Sequence, residues 1–433
     1  MRFKLAAAIF LALSPLFAVG QSSNDDQLSS GFLLNGHMRS MHSSRADGGS
    51  IGGRSNGSLL GIDTIPNWSG SFYYPGADSN NFAQYAWQYT MVGTSPFSSD
   101  RDSKHDDDRD GSGDRKTLIG APIVPVNLDL RNYDGSPRYV NGQRLYVDAT
   151  QYAVPVLKSP VFSNTYYDSS ERPTQFPDAV QRAEFFKKAG DDWHTLLVPR
   201  IVTPRTMVLI RGTYRYALNS DGSCCAYVLI DEGAFGNALF PATASDTSTP
   251  VGAAENSGEF KTTEIASFLF PNAFLYANGD PNQCCVIGFH FYDVEPGGPS
   301  NGNREKRFVL NYSSWVSPGL FGSSFQDITA LSHEMSETFN DPFVNNATPW
   351  WLSPNGNCQN NEEDGDVIEG LPNAEIAITT NGTTYHPQNE ALLQWFAGVT
   401  PSTAIHHAYS YPDTTVLTSA SVSQLAGCTG PLP

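Results

Sequence analysis

Between residues 327 and 339 the apolar side chains Ile328, Leu331, Met335 and Phe339 recur every three or four positions, one stripe of a helix. His333 and Glu337 fall one above the other on the opposite side, and Glu334 lies about 100° round from His333. Asn340-Asp341-Pro342 ends this helix, because proline cannot continue its hydrogen bonding. Phe176, Ala179, Val180, Ala183 and Phe186 repeat the helical spacing, with Thr174 as a cap and Pro177 near the first turn. Residues 68–74 and 87–92 are aromatic and β-branched, with turn residues between them, and predict strands. Residues 121–130 resume the strand pattern; 206–210, 226–230 and 286–292 are near-continuously apolar, as strands buried on both faces are, and 308–312 is another candidate. Strands, a helix, more strands and then the polar-faced helix predict an α+β architecture rather than alternating βαβ units.

The ends of the chain have a different texture. Arg2 and Lys4, an apolar run over 5–17 and the small residues Ala18-Val19-Gly20 make residues 1–20 a signal peptide. Residues 21–60 are rich in Ser, Gly and Asn and too poor in bulky apolar groups to offset their ordering entropy, which predicts a disordered arm. Residues 61–118 form a small β-rich region with an acidic insert at 105–116, and 119–433 the main domain. The insert opens like a calcium loop with Asp106, Asp108 and Asp110-Gly111, but Thr117 stands where such a loop needs glutamate, so a solvated hairpin tip is expected.

Net charge is -18, and losing Arg2 and Lys4 with the signal makes it -20; such a surface repels nucleic acid and anionic membrane. No later stretch is long and apolar enough to span a bilayer. Cys224, Cys225, Cys284, Cys285, Cys358 and Cys428 are an even set in an exported chain and lack C-x-x-C spacing, so disulfides are expected rather than a zinc cluster. The four cysteines beside buried strands are expected to bond among themselves, leaving Cys358 for Cys428. Asn56, Asn67, Asn311, Asn346 and Asn381 begin glycosylation sequons, to be used if the host is a eukaryote.

The helix at 327–339 carries the chemistry. Its layout is that of the H-E-x-x-H zinc helix, whose first and last residues bind metal and whose second takes a proton from metal-bound water. Here Glu337 stands at the last position. A carboxylate reaches the same ion, but its charge offsets the metal's and makes bound water less acidic. We therefore expect His333 and Glu337 to bind zinc and Glu334 to act as the base. The cluster Glu362-Glu363-Asp364-Gly365-Asp366 follows at the distance usual for a third, carboxylate ligand. Glu363 is the expected ligand, with Glu362 and Asp366 as alternatives; in the first case Asp366 orients His333 from behind. His290, in an apolar strand, reads as a hydrogen-bonded core residue that can also border the cleft. His406-His407, near Tyr409 and Tyr411, reads as loop surface, with oxyanion binding as the alternative. No P-loop is present.

Residues 331–337 through Asn340-Asp341-Pro342, followed by Glu363-x-x-Asp366, resemble a pattern of secreted microbial metallopeptidase-like proteins. More distantly they resemble the plant EXORDIUM (phosphate-induced) proteins, with their own H-E-x-x-E, an Asn or Asp before a Pro, and a later Glu-x-x-Asp. The closer resemblance extends over about residues 68–411, including 174–185 and Tyr409-Ser410-Tyr411-Pro412. It implies fold and metal more directly than reaction. The expectation is an α+β, zincin-like domain that binds zinc and hydrolyses a protein or peptide substrate. The rivals are a non-catalytic extracellular binding or signalling protein with a structural metal site, and a carbohydrate-binding wall protein suggested by aromatic content and export.

Overall fold

The computed structural model describes residues 26–28, 32, 34, 61–74, 85–97 and 115–421. The elements that build and flank the site are, in chain order, β1 (Ile62–Asp63), β2 (Asn67–Tyr74), β3 (Tyr85–Val92), β4 (Lys116–Arg131), α1 (Phe176–Glu184), β5 (His194–Ile201), β6 (Arg205–Ile210), β7 (Tyr214–Leu218) and β8 (Cys224–Asp231). They continue with α2 (Pro250–Ser257), β9 (Ile265–Pro271), β10 (Ala273–Tyr276), β11 (Cys284–Val286), β12 (Gly288–Glu295), β13 (Glu305–Trp315) and α3 (Thr329–Asn340).

The expected mixture of helices and strands is present, around a mixed sheet with a parallel centre. β9 runs parallel to β13 on one side and to β4 on the other. The long β4 pairs in parallel with β5 along its first half and with β6 along its second. β12 closes the sheet antiparallel to β13, with His290 opposite Asn311. Every residue of β9, Ile-Ala-Ser-Phe-Leu-Phe-Pro, is buried, as the middle of a sheet covered on both faces must be. A second sheet runs in the order β7-β8-β10-β11. The strand pattern over 286–292 divides at Ile287: β11 belongs to the second sheet and β12 to the first. Among the described residues no helix is long and apolar enough to cross a membrane.

α3 is enclosed on all sides, every residue from Thr329 to Asn340 being buried. Its apolar stripe, Leu331, Met335 and Phe339 with the preceding Ile328, packs into one cluster with Ile119, Ile123, Leu269 and Val309. Each side chain of this size stabilises by about 1.5–3 kcal/mol when fully buried. The His333 side of α3 is thus a polar interior packed near β12 and the 362–366 loop, not a solvated face.

Three expectations need correction. The boundary at 118/119 falls inside β4, and Trp68, Tyr89 and Met91 share a core cluster with Trp351 and Trp395, so residues 61–118 are not a separate unit. The arm is not wholly unstructured. Leu28 N donates to Tyr216 O (2.8 Å), and Asp26, 2% exposed, accepts from Arg138 Nη2 at 2.6 Å with Arg211 Nε 3.5 Å away. A buried carboxylate held by two guanidiniums fixes this stretch where composition alone predicts no order. Third, Asn67, Asn311 and Asn346, expected as glycan acceptors, are 3%, 0% and 2% exposed in the fold; Asn381 is exposed. The signal segment, most of the arm, Asn56, the aspartates of the insert and Cys428 lie outside the described residues. Cys224 bonds to Cys225 and Cys284 to Cys285, and Cys358 is also disulfide-bonded.

Candidate metal centre

His333 and Glu337, one turn apart on α3, aim at one point. His333 Nε2 lies 3.1 Å from Glu337 Oε1 and 3.6 Å from Asp366 Oδ1, and the three ligand atoms all lie within 4.8 Å of one another. A tetrahedral zinc with ligand bonds of 2.0–2.2 Å has ligand-to-ligand edges of about 3.3–3.6 Å, so this spacing suits one ion. His333, Glu337 and Asp366 are each 2% exposed.

What holds His333 in that direction is a residue that the sequence pattern does not single out. Gln388 Nε2 donates to Gly365 O (2.7 Å), which leaves Gln388 Oε1 to accept from His333 Nδ1 (3.3 Å). The amide orientation follows from the carbonyl contact, and it leaves Nε2 facing the carboxylates. Gln388 N donates to Ser332 Oγ (2.9 Å), tying the loop to the helix. Gly365 N donates to Glu337 Oε1 (3.1 Å). A Cβ at Gly365 would stand 2.4 Å from His333 Nδ1, so only glycine lets this backbone approach the ring.

Asp366 therefore faces the Nε2 side of His333, where a metal would bind, and does not orient the ring from behind. Its other oxygen accepts from Gln359 Nε2, on the strand that begins at the disulfide-bonded Cys358. Glu363, the expected third ligand, is turned toward β12, its Oε2 3.9 Å from His290 Nδ1. Glu362 points away to the end of α3 and accepts from Asn346 Nδ2 (3.0 Å).

His290 is the residue that sequence reasoning undervalued. Its Nδ1 lies 3.3 Å from Glu337 Oε2 and 3.7 Å from Glu334 Oε2, and its Nε2 is buried without a partner. His290, Glu334 and Glu337 make a second set with metal-ligand spacing, sharing Glu337 with the first. Its one signal was an unpaired histidine in an otherwise apolar strand. A Cβ at Gly288 would meet Glu334 Oε1 at 2.5 Å, so glycine lets β12 press against α3 there.

The charge balance is strongly acidic. Fully ionised, Glu334, Glu337, Glu363 and Asp366 would carry four negative charges against two at most from His290 and His333, and that crowding helps to raise Glu334 and Glu363. Burial pushes Glu334 up to about 7, against the pull of His333 and His290. Burial opposes ionisation of Glu337 too, but His333 and His290 outweigh it and hold that carboxyl far below the usual range. Glu363 is raised well above a normal glutamate, by burial first and Glu337 next. For His333 burial disfavours the cation, yet Glu337 and Glu334 raise it well above an ordinary imidazole. A divalent cation among these groups would cancel the excess of two charges.

The other candidates are engaged elsewhere. His406 Nε2 pairs with Asp168 Oδ2 (2.9 Å) and His407 Nδ1 donates to Ser402 O (2.7 Å), both histidines being exposed, while the buried Tyr409 Oη donates to Val399 O (2.9 Å). Comparison with family models, curated proteins and solved structures gives no match.

Proposed function

We propose that this chain is a secreted zinc-dependent hydrolase, a peptidase of zincin-like architecture, in which His333, Glu337 and Asp366 hold the metal and Glu334 is the base. The observation that carries the reading is the convergence of His333, Glu337 and Asp366, with one ligand atom of each within 4.8 Å of the others, beside Glu334. Asp366 replaces Glu363 as the third ligand in this proposal. When bound, zinc lowers the pKa of a water and polarises the substrate carbonyl. Glu334 takes the proton of the attacking water, and its position near neutrality suits both uptake and return of that proton. Gln388 keeps the His333 lone pair aimed, and Gly365 keeps Glu337 from rotating away.

The test is metal analysis of the purified protein together with a broad peptide panel. One zinc per chain, hydrolysis by the wild type and none by Glu334→Gln with metal retained support the reading. A second reading rests on burial: with Glu334 3% exposed and the three ligands 2% exposed, the centre also suits a closed structural metal in a non-catalytic extracellular binding or signalling protein. Full metal with no hydrolysis across the panel selects that reading.

A further inference from the structure

Successive side chains of a strand point to opposite faces, so Asp293 and Glu295 share one face of β12 while His290 lies on the other. On the Asp293 face, Glu255 of α2 comes up to them, and one oxygen of each carboxylate lies within 4.8 Å of the other two. Glu255 is 9% exposed and Glu295 7%. Among the described residues no N–H or O–H donor reaches either buried oxygen of Glu255, which faces the Asp293 carboxylate; burial first, then Asp293 and Glu295, push its carboxyl up to about 10. A carboxylate in that condition loses its hydration with no return unless a proton or a cation joins it. Glu255 also stands in the last turn of α2, where the helix dipole is negative and repels it further. The nearby cation is Lys306, opposite Glu295 on β13, with Nζ 3.4 Å from Glu295 Oε2.

We infer that Glu255, Asp293 and Glu295 form a cation site for calcium, pinning α2 to the end of β12. The donors are all carboxylate oxygen, which selects a hard cation over zinc or copper, and the partly exposed position leaves room for the waters that complete calcium's six to eight ligands. The site is independent of His333: it shares β12 but none of the same residues.

Calorimetric titration of calcium chloride into the full-length, chelator-stripped protein tests it, with thermal melts alongside. The expected result is one calcium per chain and a melting temperature that rises with calcium. Glu255→Gln and Asp293→Asn should each weaken binding tenfold or more, and His333→Ala should leave the isotherm unchanged. Two separate variants guard against misfolding of either, since circular dichroism in calcium-free buffer identifies a chain that has not folded. Wild-type protein that takes up no calcium, with a melting point indifferent to it, overturns the inference and leaves a carboxyl–carboxylate pair sharing a proton. Binding lost in His333→Ala but kept in Glu255→Gln also overturns it, by placing the ion at the His333 centre.

Discussion

β12 separates two acidic clusters built on different principles. On the His290 face, four carboxylates meet two imidazoles, and each imidazole lies between carboxylates at 3–4 Å. On the Asp293 face, three carboxylates meet, with Lys306 beside Glu295. Mixed nitrogen and oxygen donors favour zinc, and all-oxygen donors favour calcium. The supporting structure differs as well. Gln388, Gly365 and Gln359 fix the first set from outside, whereas among the described residues no N–H or O–H donor reaches either Glu255 oxygen. The contrast teaches that acidity alone says little about a site. What distinguishes the two is whether amide donors orient the carboxylates, as Gln359 and Gly365 do, or the carboxylates face one another, as Glu255 and Asp293 do.

The largest break in this comparison comes from Glu337→Ala. Glu337 belongs to both ligand sets on the His290 face, so its loss should take zinc content from one per chain to near zero and hydrolysis to background. Inductively coupled plasma spectrometry and the peptide assay read this, and the calcium isotherm of the opposite face should not move. Glu334→Gln should come next, keeping zinc while kcat drops by about 10²–10⁴, because the amide cannot take a proton. A parallel loss of zinc would make Glu334 a ligand with His290 instead. Gln388→Ala should weaken zinc binding by about 10–100-fold, measured by competition with a chromogenic chelator, since it frees the His333 ring. An unchanged affinity would mean that the 3.3 Å contact does not position the ring.

The smallest effect concerns Glu184, behind α3. Burial raises it from 4.5 to about 8, so between those values the folded chain keeps a proton that the unfolded chain has released. Its contribution to stability is therefore complete below pH 4.5 and is lost as pH rises through about 8. Denaturant unfolding of metal-free protein should show stability falling over that window by up to about 1.4 kcal/mol per pH unit, and Glu184→Gln should flatten the slope. An identical slope in the variant would assign the loss to other acids.

Much of the fold could be read along the chain because periodicity is local. The α3 stripe, the start of α1 and the strands around 68–74, 206–210 and 308–312 all lie where the pattern puts them. β9 was missed although Ile265 to Phe270 is apolar but for Ser267, the signal of a strand buried on both faces. His333, Glu334 and Glu337 were legible for the same reason, being one helical turn. Asp366 was legible as part of an acidic string, but its choice over Glu363 depends on how the loop turns at Gly365. Gln388 and His290 come together with them through long-range sheet and loop closure, and an isolated Gln carries no signal of that.

The buried sequons carry a consequence for biosynthesis. A eukaryotic secretory host attaches glycans to sequons as the nascent chain emerges, before tertiary structure can hide them. Asn311 sits in β13 in the middle of the sheet, and Asn346 exchanges hydrogen bonds with Thr90, donating to its carbonyl at 3.0 Å and accepting from its amide at 2.8 Å. A sugar on either asparagine has no place in this fold, so each modified molecule would be diverted from the native state. Yield in such a host should then depend on how fast the chain folds relative to the transferase, and Asn311→Gln or Thr348→Ala should change it. Export through a bacterial envelope, without that transferase, avoids the competition.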